Sequence, residues 1–276
     1  MRVLRIIRTM SMGEYMPDTS DRVASVARAL NLVERVVQGP SDGTSLSELA
    51  RAMELSKSST LALLRTLADA GYVRARDPGP RYFPGMALVR LGDLSGSTQP
   101  IDEIAQSYIH QLSQETGMTI RVAINDGGRA MFLSRADAPG AIRFHTMLGV
   151  RELTHVSSAG KAILAQLGND EIAKIIEEDG LEVRTKKTHK TLASLMKDIE
   201  EIRERKYAID DEEDVDGVFC LGAAFFDHTG ECVGAVSATG IKSSAREKRV
   251  AFYGGLVLKC AESITRELRG KSRERR

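Results

Sequence analysis

Apolar residues at Val23, Val26, Ala27, Leu30, Val33 and Val37 recur with helical spacing and predict a first amphipathic helix over 21–37. The loop signal QGPSDG ends it. Leu46, Leu49, Ala50 and Met53 then fall at i, i+3, i+4 and i+7, so a second helix has one narrow apolar face. Ser45, with Glu48 three residues on, makes a capping box at its start. Ser56 is placed to cap a third helix that runs to about Ala70 and stops at Gly71. The inner stripe of that helix is Thr60, Leu63, Leu64 and Leu67, which leaves Lys57, Ser58, Leu61, Ala62 and Arg65 facing out. YVRAR and RYFPG flank the turn signal DPGP and predict two short strands, with Tyr72 and Val73 inward and Arg74, Arg76 and Arg81 accessible.

Three helices and a hairpin in this order are the winged helix-turn-helix arrangement, in which the third helix enters the major groove and the hairpin lies along the phosphates. The bland alternative is a helical subdomain that binds nothing. The outer face of the third helix argues against it. A helix built only for packing carries solubilising Glu/Lys pairs there, whereas short hydroxyls let a backbone approach phosphates and Leu61 offers contact to a thymine methyl.

Beyond Gly85 the period changes. Residues 86–97 predict a short helix, and Ile101, Ile104, Ala105, Tyr108, Ile109 and Leu112 a longer one that connects two halves of the chain. TIRVAIND, RAMFLSRA and AIRFHTML read as strands. Helices follow near 158–167, 170–178 and 191–205. YAIDD, VFCLGAAFFD and ECVGAVSAT are strands, and a final helix over 245–268 turns Val250, Tyr253, Leu256, Val257, Cys260 and Ile264 inward. This order predicts an α+β domain with helices around a mostly antiparallel sheet. The expected organisation is a leader (1–18), a winged helix-turn-helix (19–85), a linker (86–100), a sensor-like domain (101–268) and a basic tail (269–276).

Charge adds a little. Residues 1–85 carry 12 Lys/Arg against 9 Asp/Glu and the remainder 27 against 29, an asymmetry that permits nucleic-acid binding by the first part. Cys220, Cys232 and Cys260 are odd in number and hold no CxxC pair, which fits a reducing cytoplasm and argues against a zinc site. No apolar run reaches membrane-spanning length, so no membrane partner is expected.

The chain resembles the IclR-type family of bacterial transcriptional regulators in four segments: SVARALNLVE, ELSKSSTLALLRTLADAGYVRAR, THVSSAGKAILAQL and YAIDDEEDVDGVFCLGAAFFDHTGECVGAVSATG. The resemblance implies a dimer or tetramer that binds a double-stranded DNA operator. It also implies a GAF-like C-terminal domain that binds a small effector, usually carboxylated or aromatic. The DNA contacts it implies are Lys57, Ser58, Ser59, Leu61, Ala62, Arg65, Arg74, Arg76 and Arg81. Members usually carry a large polar or basic residue where this chain has Leu61 and Ala62, which moves work onto Lys57, Ser58, Ser59 and Arg65.

Carried over residue by residue, the effector site falls on Phe144, Ser158, Ala159, Gly160, Asp210, Val218, Cys220, Ser237 and Thr239. Gly160 would let a ligand approach backbone N–H groups at a helix start, and Ser237 and Thr239 share one strand face as donors. Met147 is a neighbour on the apolar wall, and Arg143 and Arg151 are the candidate counter-charges. Cys220 also reads as a small buried hydrophobe, and Asp210 as part of a solvated acidic run, Asp210–Asp214. His145 and His155 lack metal-ligand spacing, and no cofactor motif is present. One enzyme reading competes: Ser158-Ala159-Gly160-Lys161 spells the S-x-x-K of penicillin-binding hydrolases, but the companion S-D-N and K-T-G motifs are missing. A sensor that never touches DNA is the other alternative.

Overall fold

The computed structural model describes residues 23–76, 79–97, 100–140, 144, 147–243 and 249–274. They form two compact units, residues 23–97 and residues 100–274. The first unit contains α1 (Ala24–Val37), β1 (Thr44–Ser45), α2 (Leu46–Ala52), α3 (Lys57–Asp69), β2 (Val73–Arg76), β3 (Arg81–Pro84) and α4 (Met86–Ser97). Its small antiparallel sheet has the order β1-β3-β2. Leu32, Val33, Val36, Leu49, Leu64, Val73 and Tyr82 make its core.

Both predicted caps are present. Glu48 N donates to Ser45 Oγ while Ser45 N donates to Glu48 Oε2 at 2.8 Å, and Ser59 N donates to Ser56 Oγ at 3.1 Å. Gly71, at φ +77, takes the chain out of α3 in a left-handed step that a side chain would strain.

The first helix differs from expectation. Of its predicted stripe, Val33 is buried, but Val23, Val26, Leu30 and Val37 are at least half exposed. The helix packs through Leu32, Val33 and Val36 instead. The periodic signal marked an apolar face that the unit itself does not cover. β1 was not expected either, because two residues leave no pattern and Ser45 also serves as the cap of α2.

The second unit runs α5 (Pro100–Thr116), β4 (Thr119–Asp126), β5 (Arg129–Ala136), α6 (Ser158–Leu164), α7 (Asn169–Asp179), α8 (Leu192–Arg205), β6 (Ala208–Asp211), β7 (Val218–Phe226), β8 (Cys232–Ile241) and α9 (Val250–Glu274). Its five strands are antiparallel in the order β5-β4-β8-β7-β6. Alternation along the strands divides the interior into two cores. Ile120, Val122, Leu221, Ala223, Val236 and Ala238 pack on α5 and α9, while Ala123, Ala208 and Ala235 pack on α6 and α8. The connecting helix therefore uses its apolar face, Ile104, Ala105, Ile109 and Leu112, against this sheet.

Of the expected strand AIRFHTML, residues 141–143, 145 and 146 lie outside the described residues, and Phe144, Met147 and Leu148 are not in a strand. A short strap follows. Gly149 N donates to Phe132 O, Phe132 N to Val150 O and Glu152 N to Ala130 O, so the strap lies along the free edge of β5. Gly222 sits under the start of α6, where an added Cβ would lie 2.4 Å from Ser158 O. This close approach brings the helix onto the polar stripe of the sheet.

Candidate nucleic-acid interface and ligand site

Lys57, Ser58, Ser59, Ala62 and Arg65 are exposed on α3. Ser56 Oγ bonds both Ser58 Oγ and Ser59 Oγ, at 2.9 and 2.8 Å, which gathers three hydroxyls at the helix start. Leu61 is half-buried rather than bare, so less of it is available to a base than its sequence position implied. In the wing, Arg74 and Arg76 are exposed on one face, each with its guanidinium carbon 5.4 Å from the Phe83 ring centre. That stacking holds two cations side by side without neutralising them. Arg81 differs from its neighbours. It donates to Gly43 O at 2.5 Å and pairs with Asp42 at 3.3 Å, so it pins the wing to the loop before β1.

The second site is buried. Ser158 Oγ on α6 lies 3.1 Å from Ser237 Oγ on β8, and Thr239 Oγ1 donates to Cys220 Sγ across the β7–β8 pair at 3.4 Å. Asp210, paired with Cys220 in register, accepts from Glu213 N at 2.8 Å. Burial and the neighbouring Glu213 charge push the Asp210 carboxyl up to about 7. Burial likewise raises the Cys220 thiol well above its ordinary range, which makes it a packing group and no nucleophile. Val218 is half-buried on the same strand face, and Ala159 is wholly buried in the α6 core. Phe144 is half-buried, but its neighbours lie outside the described residues, as do Arg143 and His145.

Several expectations need correction. A Cβ on Gly160 would lie 2.6 Å from Thr154 O, so the close approach of the preceding loop already requires glycine here. Met147 is 46% exposed, not part of a buried wall. Arg151 points outward to Asp126, with Nε 2.6 Å from Oδ2. The buried cation beside these hydroxyls is Arg121, which the sequence reading passed over. It is 6% exposed, donates to Thr239 Oγ1 at 2.6 Å and Ser237 Oγ at 3.4 Å, and contacts Glu152 Oε1 at 3.3 Å. Its signal was present: Arg121 shares a strand face with Ala123, opposite the face of Ile120 and Val122, and both faces are buried. An arginine on an inward face needs a purpose.

The acidic run is a paired network with two buried members rather than a freely solvated loop. Asp210 and Glu213 are buried, Asp211 and Glu212 pair with Lys187 and Lys242, and Asp214 pairs with Arg184. His155 is a core residue whose Nε2 lies 3.0 Å from Glu182 O. His189, Asp198 and Glu213 converge closely enough for a metal, yet the Lys161 ammonium already sits 2.7 Å from Asp198 Oδ2 and 2.5 Å from Glu213 Oε2. Burial pulls the Lys161 pKa down, but these two carboxylates outweigh it and raise it, the wrong direction for a base. Ser158 and Lys161 have separate partners, and the hydrolase reading fails on geometry.

Comparison with known proteins decides the family. The chain matches the C-terminal domain model of the bacterial transcriptional regulator IclR over residues 95–266 and the IclR helix-turn-helix model over residues 25–77. The chain belongs to the IclR family of bacterial transcriptional regulators. This IclR-family chain is 28% identical over 256 residues to the HTH-type transcriptional repressor AllR of Salmonella typhimurium, covering 93% of this chain and 94% of the relative. AllR of Escherichia coli K12 is similar to the same extent. The solved Thermotoga maritima IclR has a TM-score of 0.78 at 26% identity, covering 90% of this chain and all of that one. An IclR homolog from Microbacterium hydrocarbonoxydans, solved with 4-hydroxybenzoate, shares the fold with a TM-score of 0.74 at 18% identity, covering 90% of this chain and all of that one. The protein is a DNA-binding transcriptional regulator and not an enzyme.

Proposed function

We propose that this regulator reads its operator with Lys57, Ser58, Ser59, Ala62 and Arg65 of α3 and with Arg74 and Arg76 of the wing. We further propose that a small carboxylate or aromatic acid, bound at Ser158, Cys220, Ser237 and Thr239, sets its operator affinity. One observation carries the ligand reading: a run of hydroxyls, a thiol and a guanidinium is buried together on the inner sheet face. Buried polar groups are costly unless they serve structure or a ligand. The homolog that holds 4-hydroxybenzoate supports an aromatic acid as one candidate class. Coupling of this kind requires the ligand to favour one of two arrangements, with about 1–3 kcal/mol between them.

The working form is a homo-oligomer. Val23 at the start of α1, Val26, Leu30 and Val37 within it, and Met86, Val89 and Leu94 of α4 are all at least half exposed. A second copy of the chain is the occupant we propose for these faces, since one small reading head per chain gives modest specificity until doubled. The cytoplasm, where a bacterial operator lies, is the location we propose; among the described residues no helix is long and apolar enough to cross a membrane.

The test pairs a thermal-shift screen of carboxylates with gel shifts on DNA selected from random sequence. Ser237→Ala with Thr239→Val removes two hydroxyls. Ligand affinity is expected to fall about tenfold or more while ligand-free DNA binding is unchanged. Equal ligand affinity in the double variant places the effector elsewhere.

A further inference from the structure

Arg121 and Glu152 form an ion pair beside the buried hydroxyls of the sheet. Both side chains are more than nine-tenths buried, at 8% and 6% exposure. Buried pairs of this kind rarely stabilise a fold better than apolar residues of the same size. Each member reaches the site differently. Arg121 is held by β4, in register with Ser237, and its guanidinium stacks on Phe132 with the carbon 4.3 Å from the ring centre. Its Nη2 lies 2.6 Å from Thr239 Oγ1. Glu152 comes from the strap along β5, outside the regular strands, where an isolated bridge joins Met131 with Arg151.

The two contacts are unequal. The bond to Thr239 is short, whereas Arg121 Nη1 and Glu152 Oε1 are 3.3 Å apart, longer than the about 2.7–2.9 Å of a good charge-assisted pair. A planar guanidinium is made for two-pronged capture of a carboxylate. Here it is fixed to the rigid sheet beside the hydroxyls assigned to the ligand, and its carboxylate partner is carried by an irregular strap.

We propose that Arg121 is the effector's anchor and that Glu152 is an internal competitor, its side-chain carboxylate holding the place that the ligand's carboxylate takes. The proposal rests on the ligand site assigned above and narrows the ligand class: an anion with a carboxylate end is required, and a neutral analogue is rejected. Binding exchanges one carboxylate for another on the same guanidinium. Net charge at Arg121 is conserved, and the displaced Glu152 side chain moves with its strap. Selectivity against amides follows, because an amide in that place leaves a buried guanidinium without its anion.

The experiment is chemical rescue in the full-length protein. Glu152→Ala deletes the internal carboxylate. Propionate, with propionamide and chloride at equal ionic strength as controls, is then titrated while the melting temperature is read. Propionate is expected to raise the melting temperature of the variant well above either control and to leave the wild type unmoved. Adding Arg121→Gln to the variant is expected to abolish the rescue. Should Glu152→Ala fail to fold, Glu152→Gln keeps the shape and removes the charge. Its affinity for propionate by calorimetry is expected to exceed that of the wild type about tenfold or more. Equal responses to propionate and propionamide in both variants overturn the proposal. Gel shifts with the rescued variant separate the two claims: rescue without any change in DNA affinity leaves Arg121 as a carboxylate anchor and removes the effector reading of the site.

Discussion

The two sites solve opposite problems. The side chains assigned to DNA are exposed and have few partners within the protein: Lys57 and Arg65 stand clear on α3, and Arg74 and Arg76 share a ring without any opposing charge among the described residues. The groups assigned to the ligand are buried and bonded to one another. A surface that meets a polyanion needs uncommitted cations, because counterion release supplies its affinity. A site that selects one small molecule needs groups fixed by neighbours and shielded from water. Losses at the first site should therefore appear in binding and leave stability alone, while losses at the second should appear in both.

The largest stability effect is expected just behind the ligand site. Lys161 links α6 to α8 through Asp198 and to the loop after β6 through Glu213, and also donates to Ile209 O at 2.6 Å. Burial pushes the Asp198 carboxyl up, but His189, Lys161 and Arg205 outweigh it and hold it far below its ordinary range. Lys161→Ala strands these carboxylates and should cost about 3–5 kcal/mol in denaturant unfolding of the second unit. A loss below about 1 kcal/mol would mean that water or Arg205 replaces the ammonium, and the contrast between buried and exposed lysines would lose its main support.

Asp210→Asn is expected to act with the opposite sign. Folded Asp210 keeps its proton up to about 7, whereas the unfolded chain ionises it near the ordinary value of 3.8. Burial of this group therefore costs nothing below pH 4, costs more as pH rises towards 7, and costs its full amount above that. Asparagine carries no such penalty and keeps an oxygen for Glu213 N. The variant should match the wild type at pH 4 and gain on the order of 2–4 kcal/mol at pH 8. Parallel stability profiles across that range would show that Asp210 stays ionised in the fold.

On the exposed side, Lys57→Ala with Arg65→Ala should leave unfolding within about 0.5 kcal/mol of wild type. Operator affinity in gel shifts should fall about 10–100-fold, and the dependence of log affinity on log salt should become shallower by about 1 for each lost phosphate contact. Full operator affinity with folding intact would remove α3 from the interface.

The same contrast explains what could be read from sequence. The reading unit was legible because its caps and turn are local: Ser45 with Glu48, Ser56 with Ser59, and Gly71 each act within a few residues. Its outward residues follow from the same helical period. Burial was less legible, since the α1 stripe at Val23, Val26 and Leu30 faces solvent in the single chain. In the sensing unit, Ser237 and Thr239 came from resemblance, but Arg121 needed the pairing of β4 with β8 and Glu152 needed the strap on β5. Those contacts join residues 31 to 118 positions apart, a separation at which period and propensity carry no information.

The smallest effect tests whether the reading head is stiff by design. Glu54, in the turn between α2 and α3, sits at φ +53, where a side chain is strained. The turn is closed by Leu55 N donating to Ala50 O at 3.0 Å and Glu54 N donating to Arg51 O at 3.2 Å. Glycine at this position relieves the strain but loosens the unfolded chain, for a net gain of about 0.5–1 kcal/mol. Amide hydrogen exchange of residues 49–64 in Glu54→Gly should slow about 2–5-fold, with the second unit unchanged. If operator affinity holds or rises with that gain, the angle between α2 and α3 is set by their packing through Leu49 and Leu64. A fall in affinity despite slower exchange would instead show that Glu54 keeps the turn stiff enough for α3 to enter the groove. The exposed site would then share the demand for fixed geometry that defines the buried one.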